Sequence, residues 1–172
     1  MTAADVLEVL DALDGIASRL WLDGGWGVDA LVGEQTREHA DLDLAVDRRD
    51  LSEIERALAP LGYRHDPTVA PGLPARLVLR DANGRQVDLH PLHLDEAGDG
   101  RQQLSETGHA WGRYPAEHLR ASGRIAGRPV PCISAELQVR FRLGYEWSER
   151  DEHDLGLLSD RFGLRPPRLR SR

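Results

Sequence analysis

The chain has 172 residues, of which 40% are hydrophobic, and a formal net charge of −7. This length suits one compact domain with a substantial core, and the acidic charge argues against sequence-independent binding of DNA or RNA, which needs a basic surface. Cys132 is the single cysteine and no apolar run approaches the about 20 residues of a membrane span, so we expect no disulfide within the chain, no membrane segment and a cytoplasmic location.

The first predicted element is a helix. Apolar residues recur at helical spacing from Thr2, a possible N-cap, to about Ile16. We interpret this helix as scaffold that packs on a sheet.

A short strand, a glycine pair and a second helix are predicted next. Residues 20–22 are apolar and lead into Gly24 and Gly25, after which a helix can begin at Trp26 and end at Gly33. Because glycine has no Cβ, backbone N–H groups can approach an anion closely at the positive end of this helix. We therefore predict that the pair binds phosphate, while a plain Gly-Gly turn is the alternative.

Arg37 and His39 lie between this helix and the next strand, and we predict both as nucleotide-binding residues. The chain contains no lysine, so arginine must supply any cation that offsets phosphate charge. The guanidinium group of Arg37 has the forked shape that suits a phosphate. A solvated loop arginine is the alternative.

Two aspartates alternate with apolar residues over residues 40–46, which we predict as a strand. Asp41 and Asp43 share one face of it, and the opposite face is apolar. Residues that share a face lie about 7 Å apart along a strand, so both carboxylates can reach one or two hard cations such as Mg²⁺. The alternative is an edge strand with a solvated polar face.

Scaffold elements are predicted after this strand. Asp50 can cap a helix over residues 51–58, which Pro60 stops. Residues 63–65 are predicted as a strand, and the proline-rich residues 66–74 as a loop.

A third carboxylate follows on a predicted hairpin. Residues 75–80 and 85–90 flank an Asn-Gly pair, a strong hairpin signal, and Asp88 and His90 share one face of the second strand. Asp88 is therefore a candidate metal ligand, general base or both. His90 is a second candidate for handling the proton, or else a histidine bonded to a neighbouring carboxylate or carbonyl.

The second half of the chain gives weaker signals. Residues 95–112 lack periodicity and are predicted as a long irregular connection of the kind that often binds ligands. Trp111 and Tyr114 at its end can line a pocket or serve as packing anchors. Two short strands joined by a turn at residues 126–127 are predicted beyond it.

Helices are predicted for the C-terminal part. One begins at Ser134 and runs to about Tyr145, and a short one covers residues 152–159 after Asp151. Residues 161–172 are predicted as a loose tail.

The glycine pair, the Asp-x-Asp strand and the later strand carboxylate resemble the nucleotidyltransferase superfamily. A finer resemblance to the short lincosamide nucleotidyltransferases is carried by WLDGGWGVDAL, TREHADLDL, VDLHPLHLDEAGDG, PCISAELQ and GYEWSERDEHDL. Aminoglycoside nucleotidyltransferases share a similar GGWxxDAL, TRxHxDxDL and AGRPV pattern. The resemblance covers about residues 20–158.

This resemblance implies an α+β fold, with a mixed β-sheet flanked by helices. It implies a single domain over residues 1–160, whose C-terminal part from about residue 134 is helical. The implied activity is transfer of AMP from ATP, or another nucleoside triphosphate, to a hydroxyl of a small antibiotic, with release of pyrophosphate. Mg²⁺ would be held by Asp41, Asp43 and Asp88.

The same resemblance has implications for the acceptor site and for the oligomeric state. Tyr145, Asp151 and Asp154 match the family pattern and are expected to face the cleft. Small family members sometimes pair their subunits, so a homodimer is implied by resemblance alone.

Two alternatives remain open. An aminoglycoside acceptor carries several amines and would need additional acidic residues, for which Asp95, Glu96 and Asp99 are candidates. The other alternative is a non-catalytic nucleotide-binding or partner-binding module. The three strand aspartates argue against it, because a chain without metal chemistry has no reason to keep adjacent repelling charges.

Overall fold

The computed structural model describes residues 1–16, 19–143 and 145–164. Over these residues a nine-stranded mixed sheet is flanked by helices, which confirms the predicted α+β class. The helices are α1 (Ala3–Ala12), α2 (Gly24–Val32), α3 (Leu51–Leu58), α4 (Ala135–Phe141) and α5 (Glu149–Phe162). The strands are β1 (Leu20–Leu22), β2 (Asp41–Asp47), β3 (Arg64–His65), β4 (Leu77–Arg80), β5 (Gln86–Leu94), β6 (Gly100–Gln103), β7 (Trp111–Tyr114), β8 (Ala121–Ile125) and β9 (Arg128–Cys132).

The sheet brings β2 and β5 together at its centre. The strand order is β3-β4-β5-β2-β1-β9-β8, and β6 pairs with the far end of β5 and with β7. β2 and β5 run parallel in a register that sets Asp43 opposite Asp88. The two predicted carboxylate strands are therefore direct neighbours.

The apolar side chains of β2 are buried on both faces of the sheet. Leu42, Leu44 and Val46 belong to a core with residues of α1, α2 and α3. Ala45 points to the opposite face and belongs to a second core with Leu137 of α4. Asp41 and Asp43, at the start of the strand, remain half-buried.

Several local predictions are confirmed. The Thr2 hydroxyl accepts a hydrogen bond from the backbone N–H of Asp5, as an N-cap should. Gly33 ends α2 with φ +98°, a left-handed conformation that glycine adopts without strain. The β8–β9 turn has positive φ at both Ala126 and Gly127, as a tight hairpin turn requires.

Other boundaries differ from the prediction. α1 ends at Ala12, short of Ile16. The glycine pair is not a turn before a helix: Asp23 is the N-cap of α2, so both glycines lie in its first turn. Asp50 makes no capping hydrogen bond through its side chain to α3, although that helix spans the predicted residues.

The prediction of an irregular connection over residues 95–112 was wrong. It contains β6 and the start of β7, which pair with each other as a hairpin. The sequence of β6, Gly-Arg-Gln-Gln, lacks the apolar alternation that marks a half-buried strand, because its inward side chain is a glutamine.

The C-terminal helices also have different bounds. α4 ends at Phe141 rather than near Tyr145, while α5 is longer than predicted and reaches Phe162. Of the predicted tail, residues 165–172 lie outside the described part. No helix within the described ranges is both long and apolar enough to cross a membrane.

Candidate active site

The first turn of α2 packs directly on the predicted site residues. A Cβ added at Gly24 would lie 2.0 Å from Asp43 Oδ2, and φ at this position is +57°. A Cβ at Gly25 would lie 2.3 Å from Arg37 Nη2 and 2.5 Å from His39 Nδ1. Both glycines therefore permit a close approach of side chains to the helix backbone, and their phosphate-binding role stays a prediction.

The three predicted carboxylates lie around the β2–β5 pair. Asp43 is opposite Asp88, and Asp41 shares the strand face of Asp43. Burial raises the pKa of Asp41 and of Asp88, and the negative charge of Asp43 raises both further. The cluster therefore carries negative charge that the protein leaves only partly compensated.

Each of two carboxylates is bonded to a neighbouring side chain. Asp88 accepts hydrogen bonds from Arg76 Nη1 at 2.9 Å and Gln86 Nε2 at 2.7 Å. Asp43 accepts one from His90 Nε2 at 3.1 Å. Among the described residues, no group of three carboxylate, histidine or cysteine side chains is already arranged to hold a metal ion. The carboxylates of Asp41, Asp43 and Asp88 nevertheless fit Mg²⁺, because this ion prefers oxygen ligands and its charge would relieve the repulsion among them.

Arg37 and His39 lie beside Gly25, yet both are hydrogen-bonded to buried carboxylates. Arg37 donates from Nε and Nη2 to Asp154 of α5, at 2.9 and 3.0 Å. The ring of His39 bonds through Nε2 to the buried carboxylate of Asp29 on α2. These contacts fasten the loop before β2 to the helices, so the guanidinium group of Arg37 is already paired.

A pocket of about 430 Å³ opens beside Asp43. It has a polar floor and an apolar rim, where Leu104 and Tyr145 are 44% and 46% exposed. Its lining residues are Asp23, Gly24, Asp43, His90, Gln102, Leu104, Gly112, Tyr114, Phe141, Arg142, Tyr145 and Asp151. Such a lining suits a ligand with both polar and apolar parts.

Arg142 lines this pocket and was not predicted as a site residue. It is 7% exposed, and it donates to Gln138 Oε1 at 2.7 Å and to Asp154 Oδ2 at 2.9 Å. Its Nε makes no hydrogen bond within the described residues and lies 3.7 Å from Asp151 Oδ1. The sequence pattern did not indicate a role for Arg142. The inward direction of its side chain depends on where α4 ends, and this helix ends at Phe141, directly before Arg142.

Three predicted substrate residues are brought together at the pocket. His90 lies on its floor, and the Tyr145 hydroxyl donates to Asp151 Oδ1 at 3.0 Å on its rim. Asp154, expected to face the cleft, is instead buried between Arg37 and Arg142.

Trp111 lies away from this pocket. Alternate residues of β7 face opposite sides, so Tyr114 lines the pocket and Trp111 points outward. The Trp111 ring packs against His93 with 5.5 Å between centroids, and its N–H donates to Gly108 O at 2.7 Å. Its contacts are those of a packing anchor.

The acidic residues considered for an aminoglycoside also lie elsewhere. Asp95 Oδ1 accepts the backbone N–H groups of Ala97 and Asp99, and Asp99 Oδ1 accepts that of Ala116. Both aspartates line a small separate cavity. The Asp95 carboxylate shapes the turn between β5 and β6, and the Asp99 carboxylate connects this turn to the segment after β7.

A buried chain of hydrogen bonds crosses the pocket floor from α2 to β2. The Tyr114 hydroxyl lies 3.2 Å from Asp23 Oδ2 and 3.1 Å from Gln102 Oε1. Gln102 Nε2 lies 3.1 Å from His90 Nδ1, and His90 Nε2 reaches Asp43. Burial raises the pKa of Asp23, and it raises that of Tyr114 well above its ordinary value. Burial lowers the pKa of His90, but the bond to Asp43 and the nearby negative charges outweigh it and raise the pKa overall.

Comparison with known proteins gives consistent matches. Residues 5–158 match the family model described as aminoglycoside-2''-adenylyltransferase. A lincosamide resistance protein of Staphylococcus haemolyticus is 31% identical over 156 residues, which are 90% of this chain and 92% of that protein.

Solved structures agree with these matches. The crystal structure of the lincosamide antibiotic adenylyltransferase LnuA with lincomycin bound has a TM-score of 0.79 and 30% identity, covering 92% of this chain and 97% of that chain. The crystal structure of ANT(2'')-Ia in complex with adenylyl-2''-tobramycin has a TM-score of 0.68 and 26% identity, covering 92% of this chain and 87% of that chain.

Proposed function

The chain belongs to the aminoglycoside-2''-adenylyltransferase family and is a nucleotidyltransferase, and we propose that it transfers AMP from ATP to a hydroxyl group of a small antibiotic. The proposed acceptor is a lincosamide. The observation that carries the proposal is the register of β2 and β5, which sets Asp43 opposite Asp88 beside a pocket of about 430 Å³.

The transfer is a substitution at the α-phosphorus of ATP. The hydroxyl oxygen of the acceptor forms a bond to this phosphorus as the bond to the oxygen that bridges to the β-phosphorus breaks. Pyrophosphate leaves with the electron pair of that bond, and the hydroxyl proton passes to Asp88. Arg76 and Gln86 hold the Asp88 carboxylate from the side, which supports a fixed orientation for this base.

The three carboxylates are the proposed metal ligands. Mg²⁺ bound by Asp41, Asp43 and Asp88 would offset the negative charge that builds up on the phosphoryl oxygens. The raised pKa values of Asp41 and Asp88 support this assignment, because neighbouring carboxylates that repel each other gain from a shared cation.

The nucleotide is proposed to lie against the first turn of α2, at Gly24 and Gly25. We predicted Arg37 as the phosphate-binding cation, but Arg142 is favoured for this role, because Arg37 pairs with Asp154 away from the pocket that Arg142 lines. Arg142 lines the pocket and its Nε has no hydrogen-bond partner among the described residues. Arg37 then supports the site through the Asp154 carboxylate that the two arginines share.

The shape of the pocket supports a lincosamide over a polycationic acceptor. Its wall is apolar at Leu104, Phe141 and Tyr145, and lincosamides combine one basic nitrogen with apolar surface. The acidic residues Asp95 and Asp99 face a separate cavity and would be unavailable to the amines of an aminoglycoside. The lincomycin bound by LnuA, a relative of nearly the same length, supports the same assignment.

Leu104 offers a test of the apolar rim. Its replacement by serine should raise the KM of a lincosamide about fivefold and leave the KM of ATP unchanged, because burial of a partly exposed leucine by the ligand is worth about 1 kcal/mol. Leu73→Ser is the matched control, since Leu73 is exposed to a similar degree and does not line the pocket. Equal KM values for the lincosamide in Leu104→Ser and the parent enzyme would place the acceptor elsewhere.

The proposed reaction is tested by pyrophosphate release from Mg-ATP. Purified protein is supplied with lincomycin, clindamycin or one of several aminoglycosides, and Asp41→Asn serves as the control. We expect release with the lincosamides that disappears in the control. Release with aminoglycosides alone would transfer the assignment to that class. No release with any drug, despite metal-dependent ATP binding, would contradict the proposed acceptors and retain the nucleotide site.

A homodimer and the absence of nucleic-acid partners are further predictions. Sedimentation of the protein in solution checks the first, and a binding titration with duplex DNA checks the second.

A further inference from the structure

Gln102 lies at the centre of the hydrogen-bonded chain on the pocket floor. It belongs to β6, it is 7% exposed, and its amide makes three contacts, of which two are buried and that to His90 is partly buried. Nε2 lies 2.8 Å from the backbone oxygen of Ala75 and 3.1 Å from His90 Nδ1, while Oε1 lies 3.1 Å from the Tyr114 hydroxyl.

The orientation of this amide is set by Ala75. A backbone carbonyl oxygen can only accept, so the group of Gln102 that faces it must be the NH₂. The reversed amide would bring two buried acceptors together at 2.8 Å, which is unfavourable. Gln102 therefore presents its two N–H bonds to Ala75 and to His90.

The tautomer of His90 follows from this orientation. Nδ1 meets an N–H donor of Gln102, so it must accept and carry no proton. The proton of the neutral ring then lies on Nε2, which donates to Asp43 Oδ1 at 3.1 Å.

We infer that Gln102 is a positioning residue, which fixes His90 in the tautomer whose Nε2–H holds the Asp43 carboxylate. In this arrangement both ring nitrogens are engaged, and His90 has no free lone pair for the proton of an acceptor hydroxyl. Proton transfer is left to Asp88, and His90 orients a proposed metal ligand. The kinetic part of this inference rests on the proposed function, whereas the tautomer does not.

The tautomer can be measured without turnover. In a protein labelled with ¹⁵N at its seven histidines, long-range ¹H–¹⁵N correlation distinguishes a protonated from an unprotonated ring nitrogen, and His90→Gln identifies the signals of His90. We expect a protonated Nε2 and a bare Nδ1 in the neutral ring, observed at a pH above the raised pKa of His90, and a mixture of tautomers in Gln102→Met. A parent protein whose neutral His90 ring carries its proton on Nδ1 would overturn the inference.

The kinetic test separates positioning from direct contact. Gln102→Met should lower kcat/KM about tenfold, mainly through kcat, as expected if the lost hydrogen bond to His90 is worth about 1.4 kcal/mol in the transition state. The control Gln103→Met, on the same strand, should stay within about twofold, since the Gln103 amide donates to Ser105 O.

A double variant decides how Gln102 acts. In a His90→Gln background, Gln102→Met should have less than about a twofold further effect, because its route through His90 is already removed. The same tenfold loss in that background would mean that Gln102 acts directly on the ligands, against the inference. Thermal unfolding of each variant checks that the β6–β7 hairpin is retained, and an inactive parent enzyme would refute the proposed function while the NMR result still stands.

Discussion

Asp43→Asn should lower kcat by at least about a thousandfold while the protein keeps or gains stability. Asparagine can still accept the hydrogen bond from His90, but it cannot offer a charged ligand to Mg²⁺. The folded protein also loses a repulsion, because the charge of Asp43 raises the pKa values of Asp41 and Asp88. Pyrophosphate release gives the rate, and thermal unfolding without metal gives the stability.

Asp47→Asn is the matched control for this variant. Asp47 lies on the same strand, but its carboxylate bonds to Arg49 at 2.6 Å and accepts the backbone N–H of that residue. We expect the opposite result, with reduced stability and retained turnover. Full activity of Asp43→Asn, or equal loss in both variants, would disprove the role of Asp43 in catalysis.

Gly24→Ala should lower kcat/KM at least about a hundredfold, since a displacement of about 1 Å in a reacting site has a cost of this size. The new methyl group would lie 2.0 Å from Asp43 Oδ2 and would have to push the carboxylate or the helix aside. The positive φ of Gly24 adds backbone strain to the clash. Kinetics with Mg-ATP and the acceptor measures the effect.

Gly33→Ala tests the effect of backbone strain at a positive φ without a steric clash. Gly33 also has a positive φ, at the other end of α2, but a Cβ there meets no described atom within 4 Å. This variant should lose about 1 kcal/mol of stability and retain its activity. If Gly24→Ala behaves like Gly33→Ala, the close packing of α2 on Asp43 is not needed for catalysis.

Local patterns were sufficient to predict most of the scaffold. The alternation around Asp41 and Asp43 predicts a strand with one polar face, and the Asn-Gly pair predicts the hairpin that carries Asp88. Neither pattern contains the register that sets Asp43 opposite Asp88. That register is a long-range property. The local patterns made Asp88 a candidate metal ligand, and the family resemblance implied that it shares Mg²⁺ with Asp41 and Asp43.

Local sequence patterns missed other features of the site, for different physical reasons. Gln102 lies on β6, which is polar, so no periodicity marked that strand. Trp111 and Tyr114 lie on one short strand, and which of them faces the pocket depends on the pairing of that strand. The partner of Arg37 is a carboxylate 117 residues away, which no local pattern could indicate.

That distance along the chain has a consequence for how the enzyme is made. Asp154 joins Arg37, from the first quarter of the sequence, to Arg142 and α5 near its end. The last strand of the sheet ends at Cys132, whereas α5 starts only at Glu149, so Asp154 is synthesised after the whole sheet. A growing polypeptide can therefore assemble its sheet while the phosphate side of the cleft is still incomplete, and nucleotide binding should begin only once α5 has been synthesised and has docked.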